Sequence, residues 1–74
     1  MNTSAPRLVR ATDLTDSMVL LDPQTGARSF VLDHKQRTPR GSASVVWFGL
    51  DLETGRYRDL IVGARRTLAV AVEA

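Results

Sequence analysis

Ser44-Val45-Val46-Trp47-Phe48-Gly49-Leu50 is followed by Asp51-Leu52-Glu53-Thr54-Gly55, and then by an apolar return from Tyr57 to Val62. The first run is rich in β-branched and aromatic residues, which suit a pleated, half-buried surface. Between the two runs, Asp accepts hydrogen bonds from the turn backbone and Gly supplies a left-handed exit. The reading is two strands joined by a tight turn.

The same words occur 29 residues earlier. Leu21-Asp22-x-x-Thr25-Gly26 matches Leu50-Asp51-x-x-Thr54-Gly55, and it is flanked by Met18-Val19-Leu20-Leu21 and Phe30-Val31-Leu32. Pro23 adds a fixed backbone angle to that turn. Two hairpins of one design follow, either from an old duplication or because turn chemistry alone selects these residues. Leu8-Val9 reads as a short edge strand, Thr12 to Asp16 as a turn, and Thr67 to Val72 as a last alternating strand. The polar, basic segment His34 to Ser42 reads as an exposed loop broken by Pro39 and Gly41. Asp59 to Leu68 contains the one stretch compatible with a helical turn. Residues 1–6 are small and polar and read as a disordered lead, with residues 7–74 as a single domain.

Opposing Asp51 and Arg56 places Val46, Phe48, Leu50, Tyr57, Asp59 and Ile61 on one face of the second hairpin. The other face receives Val45, Trp47, Leu60 and Val62, then Gly49, Asp51, Arg56 and Arg58 toward the turn. The first hairpin divides into Val19, Leu21, Phe30 and Leu32 against Met18, Leu20 and Val31. A one-residue bulge at either turn exchanges these sets. Both faces are apolar in their middle, whereas a half-solvated antiparallel sheet has one polar face. Either the sheet curls around its inner face, with the first and last segments over the outer one, or a second copy of the chain covers it. The expected fold is all-β: a five-stranded barrel or strongly curled antiparallel sheet, with a homodimer as the second way to bury the outer face.

This order of short strands and two tight hairpins, from Leu8 to Val72, resembles the SH3-like small β-barrels. Such domains occur on ribosome-associated and nucleic-acid-handling proteins. The resemblance is architectural. The acidic loop and clustered aromatics of the SH3 peptide binders have no counterpart here, so the resemblance implies a fold rather than a function.

Composition narrows the function classes. The chain has 74 residues, no Cys, a single His and a net charge of +2 from ten basic and eight acidic residues. Disulfides, thiolate metal sites and a cysteine nucleophile are excluded. No metal or other cofactor is expected, and Asp13, Asp16 and Asp22 lack calcium-loop spacing. No apolar run approaches the roughly 20 residues that span a bilayer, and the first residues have no signal-like apolar core. A cytoplasmic, non-membrane protein is the expectation. His34 with Asp33 and Ser42 or Ser44 is the single arrangement hinting at acid–base chemistry, and no catalytic motif surrounds it. An enzyme is not expected.

Nine of the ten basic residues are Arg. Lys35, Arg37 and Arg40 form a basic loop and Arg65-Arg66 a second cluster, suited to phosphates or simply to solvation. The register sets Trp47 beside Arg56 and Arg58, an arrangement suited to a base stacked on the indole with phosphates on the guanidinium groups. Equally, Trp47 packs in a core while the arginines are solvated. The expected interface residues are therefore Lys35, Arg37, Arg40, Trp47, Arg56 and Arg58. Two functions compete: nucleic-acid binding (DNA or RNA) through phosphates with little sequence preference, and a protein-interaction or assembly module using the outer apolar face or a strand edge.

Overall fold

The computed structural model describes residues 7–72; the expected lead at residues 1–6 lies outside them. The described residues form one antiparallel sheet of six strands: β1 (Arg7–Arg10), β2 (Val19–Leu21), β3 (Arg28–Lys35), β4 (Ser44–Asp51), β5 (Arg56–Gly63) and β6 (Thr67–Val70). Their order is β1-β6-β2-β3-β4-β5, so β1 and β5 are the edges and the sheet does not close into a barrel. The strand count exceeds the expected five because Arg7–Arg10 pairs in full with β6, Leu8 facing Ala69. The turn expected at Thr12 to Asp16 begins as a 3-10 turn, Ala11–Asp13. No helical turn forms between Asp59 and Leu68, because β5 continues to Gly63 and β6 begins at Thr67. No helix among the described residues is long and apolar enough to cross a membrane.

The two repeated turns are built alike. In the first, Asp22 Oδ1 accepts from the Gln24 N–H at 2.7 Å and Gly26 N–H donates to the Asp22 carbonyl. In the second, Asp51 Oδ1 accepts from the Glu53 N–H at 2.9 Å and Gly55 N–H donates to the Asp51 carbonyl. Thr25 and Thr54 hydroxyls accept from the next-but-one N–H in each. Both glycines have φ near +75°, the region a side chain opposes.

The β4–β5 register is the expected one, Asp51 opposite Arg56 through to Val45 opposite Val62. Along β4 burial alternates strictly, with Val45, Trp47, Gly49 and Asp51 inside. The first hairpin departs from expectation. Leu20 pairs with Phe30, and a bulge between Leu20 and Leu21 then sets Leu21 opposite Arg28. Leu20, Phe30 and Leu32 are therefore buried together, while Val19, Leu21 and Val31 face outward. A second bulge, between Leu32 and His34, lets β3 run on to Lys35 where a loop was expected.

The core lies on the concave face, around Trp47 and Leu32, each only 1% exposed. Val9, Ala11, Leu14 and Val70 pack into the same cluster. The first and last segments thus widen the sheet and close the inner face. They do not cover the outer one, where Ile61 and Leu8 remain 69% and 70% exposed.

Candidate nucleic-acid interface

Three connections of the sheet meet at one corner. The β5–β6 turn (residues 64–66) is tied to the β3–β4 loop by the Ala64 N–H donating to the Ala43 carbonyl at 2.8 Å. The Arg66 carbonyl accepts from the Ala11 N–H at 2.8 Å, binding the same turn to the end of β1. Within the turn the Arg66 N–H donates to the Gly63 carbonyl at 3.0 Å. These bonds fix the backbone from which Arg65 and Arg66 project.

Cations concentrate around that corner. Arg10 ends β1, Lys35 ends β3, Arg37 and Arg40 lie in the β3–β4 loop, and Arg65 and Arg66 form the turn; all six are exposed. Two open hollows flank Arg65. One, of about 520 Å³, is lined by Arg10, Thr12, Ala64, Arg65 and Thr67. The other, of about 460 Å³, is lined by residues 41–43 and 63–66, with Ser42 its hydroxyl. Neither has a carboxylate in its wall. Guanidinium groups and an absence of acid in the walls make a surface that attracts anions.

The expected interface residues divide into two groups. Lys35, Arg37 and Arg40 belong to the corner. Arg56 and Arg58 sit toward the other end of β4, opposite Asp51 and Gly49, about 23 Å and 17 Å along the strand from Ser44 at the corner, with Lys35, opposite Trp47, about 10 Å from it. Arg58 already has partners. Its Nε donates to Asp51 Oδ2 at 2.7 Å, and its guanidinium carbon lies 5.2 Å from the centre of the Phe30 ring. The Arg58 hydrogen bond, with help from the Glu53 N–H, holds the Asp51 carboxyl below its ordinary value of 3.8, outweighing the opposing effect of burial. Arg58 neutralises a mostly buried carboxylate rather than projecting toward a ligand.

Trp47 is not where a stacking platform needs it. At 1% exposure it is the largest fully buried side chain of the described residues, and no base reaches it while the core is closed. Its Nε1–H is buried and meets no acceptor among them. Aromatic exposure is on the other face. His34, Phe48 and Tyr57 come from β3, β4 and β5, with ring centroids 5.3 Å apart for His34–Phe48 and 5.5 Å for Phe48–Tyr57. Tyr57 is 60% exposed. Beside this row the Gln36 amide donates to Asp59 Oδ1.

His34 Nδ1 lies 3.5 Å from Asp33 Oδ2, both well exposed, while Ser42 Oγ donates to the Ser44 carbonyl. The three groups form no relay. Among the described residues no three His, Asp or Glu side chains gather as a metal-binding group.

Sequence reasoning did not count Arg10, Arg65 and Arg66 among the interface residues. The Arg65-Arg66 doublet was visible, and its place beside the β3–β4 loop continues the β4–β5 register past Ser44–Gly63; the Ala11–Arg66 bond that brings Arg10 to it was not legible. No known family model and no curated protein sequence matches the chain.

Proposed function

We propose that this protein is a small non-enzymatic β module that binds nucleic acid through its phosphates, with little sequence preference. The observation that carries the reading is the basic corner: Lys35, Arg37 and Arg40 join Arg10, Arg65 and Arg66 on connections tied by backbone hydrogen bonds. A tied backbone lowers the ordering cost of bringing the cations together, and each phosphate they neutralise releases counterions. Arg56, at the far end of β4, is a peripheral contact, and Arg58 serves Asp51. A cytoplasmic setting and kinship with the SH3-like barrels, here opened into a sheet, belong to the same reading.

The test is fluorescence anisotropy of labelled single- and double-stranded oligonucleotides over a range of salt concentrations. The double variant Arg65→Ala/Arg66→Ala is expected to lower the slope of log affinity against log salt by about 1.4 to 1.8, two contacts at about 0.7 to 0.9 each. Arg56→Ala should lower it by less than one contact. Absence of binding at low salt overturns the reading, and so does an equal loss from Arg56→Ala.

A protein-interaction role has one observation of its own: Leu8, Ile61 and Tyr57 leave large apolar area on the outer face. Sedimentation of the free chain tests its simplest form, a homodimer, which Ile61→Lys should dissociate.

A further inference from the structure

Resting on the phosphate reading above, we propose that the outer face of the sheet binds unpaired nucleobases on the row His34–Phe48–Tyr57, making the ligand a single strand. The three rings lie on three adjacent strands, Phe48 in contact with His34 on one side and Tyr57 on the other, with Phe48 and Tyr57 only 13° from parallel. His34 faces Phe48 directly across the β3–β4 ladder. Tyr57 at 60% exposed and the half-open His34 leave ring surface to water. Every base has an apolar π-face, so such a row accepts bases without regard to sequence.

Continuity with the basic corner selects this occupant. The row ends at His34; Lys35, opposite Trp47, turns to the other face, but Gln36 returns to the row's side through its bond to Asp59, and Arg37 follows it in the loop that reaches Ala64 through Ala43. A strand whose phosphates engage the corner therefore has its next bases at the start of the ring row. In a duplex those bases are already stacked and paired, and their faces are out of reach. Beside the row stand groups suited to base edges: Asp59 lies opposite Phe48 in the register, and its carboxylate accepts from the Gln36 amide. That pair offers acceptor oxygens to exocyclic amino groups.

A second copy of the chain fits the same face less well. An isologous contact centred on the rings takes the Asp59 carboxylates of both copies out of water, without a cation among the residues of the row to offset them. A single strand leaves Asp59 at the wet margin.

The experiment compares a labelled oligothymidylate, an abasic chain with the same phosphates, and a duplex of equal length, each against wild type, Tyr57→Leu and Tyr57→Phe. The expected result is that Tyr57→Leu weakens oligothymidylate binding between about fivefold and 150-fold. Its salt slope stays unchanged, Tyr57→Phe binds as wild type, and the abasic chain and the duplex do not distinguish the three proteins. Equal binding of oligothymidylate and abasic chain by wild type overturns the stacking proposal while leaving the phosphate reading standing. So does an equal loss on all three ligands. A Tyr57→Leu variant that turns a dimer into a monomer without changing oligothymidylate affinity assigns the face to a second copy, and also overturns it. Failure of every ligand to bind at low salt removes the phosphate reading and this proposal together.

Discussion

Adding one methyl group at Gly49 should cost more stability than most substitutions in this domain. Gly49 is buried in the middle of β4, opposite Leu32 and Arg58. An ideal Cβ there overlaps the Val31 carbonyl oxygen and comes within 2.6 Å of Phe30 Cε1. The first of these is backbone and cannot swing aside without opening the β3–β4 ladder. Overpacking of this kind costs about 1–3 kcal/mol, and a backbone clash belongs at the upper end. A weakened ladder bond adds about 1 kcal/mol. Restricting the unfolded chain returns about 0.4–1 kcal/mol. The net expectation for Gly49→Ala is a loss of about 3 kcal/mol. A domain of this length has roughly 4–11 kcal/mol in total, so the variant retains little margin at the lower end. Urea unfolding followed by the fluorescence of the single, buried Trp47 is the assay. With a slope of about 1 kcal/mol per molar, the midpoint should fall by about 3 M. Gly63→Ala is the control, because its added Cβ meets only the Arg66 side chain, Cγ at 3.5 Å and Cδ at 3.8 Å, both ordinary contacts. A Gly49→Ala midpoint no lower than that of Gly63→Ala would refute the close strand approach described here.

Three further substitutions, at two positions, probe the inner face. Asp51→Asn should be less stable than wild type at pH 7, and the gap should narrow below about pH 4. A carboxyl whose folded value is depressed contributes stability above its unfolded value of 3.8 and loses it as pH falls through the folded one. Urea midpoints at neutral and acid pH measure this, and a gap that persists in acid contradicts the Asp51–Arg58 pairing. Trp47→Phe should lie within about 1 kcal/mol of wild type, because the lost ring volume is offset by removing an unpaired buried N–H. Trp47→Ala should cost about 3–5 kcal/mol. Circular dichroism during urea unfolding separates the two, and equal losses would show that the indole N–H finds a partner.

The β4–β5 hairpin was legible because its turn residues and its alternation specify one register, Asp51 against Arg56. The β2–β3 hairpin carries the same turn words, yet its faces were misread, since the bulge at Leu20/Leu21 leaves no mark in a run of four apolar residues. Which β4 face is the core was ambiguous from the hairpin alone. Val9, Ala11 and Val70, distant in sequence, settle it for the Trp47 face. Of the candidate interface, the charges were readable, and the approach of Arg10 through the Ala11–Arg66 bond was not. The ring row was hidden for a related reason. Without the bulge between Leu32 and His34, continuing the ladder from Leu32–Gly49 would set Asp33 opposite Phe48, not His34.

The bond between Ala11 and Arg66 joins positions 55 apart in sequence. Closing so long a loop carries an entropic cost whose length-dependent part is about 3.5 kcal/mol, and contacts of high sequence separation slow folding. Arg10 therefore joins the corner only in the completed chain topology, whereas the other five cations are gathered by the β3–β4 and β4–β5 hairpins. While β1 is detached, Arg10 leaves the corner and the other five cations stay around the β3–β4 loop and the β5–β6 turn. Anything that holds them together adds its binding free energy to the docking of β1, so occupancy of the corner and slower amide exchange in β1 should rise and fall together.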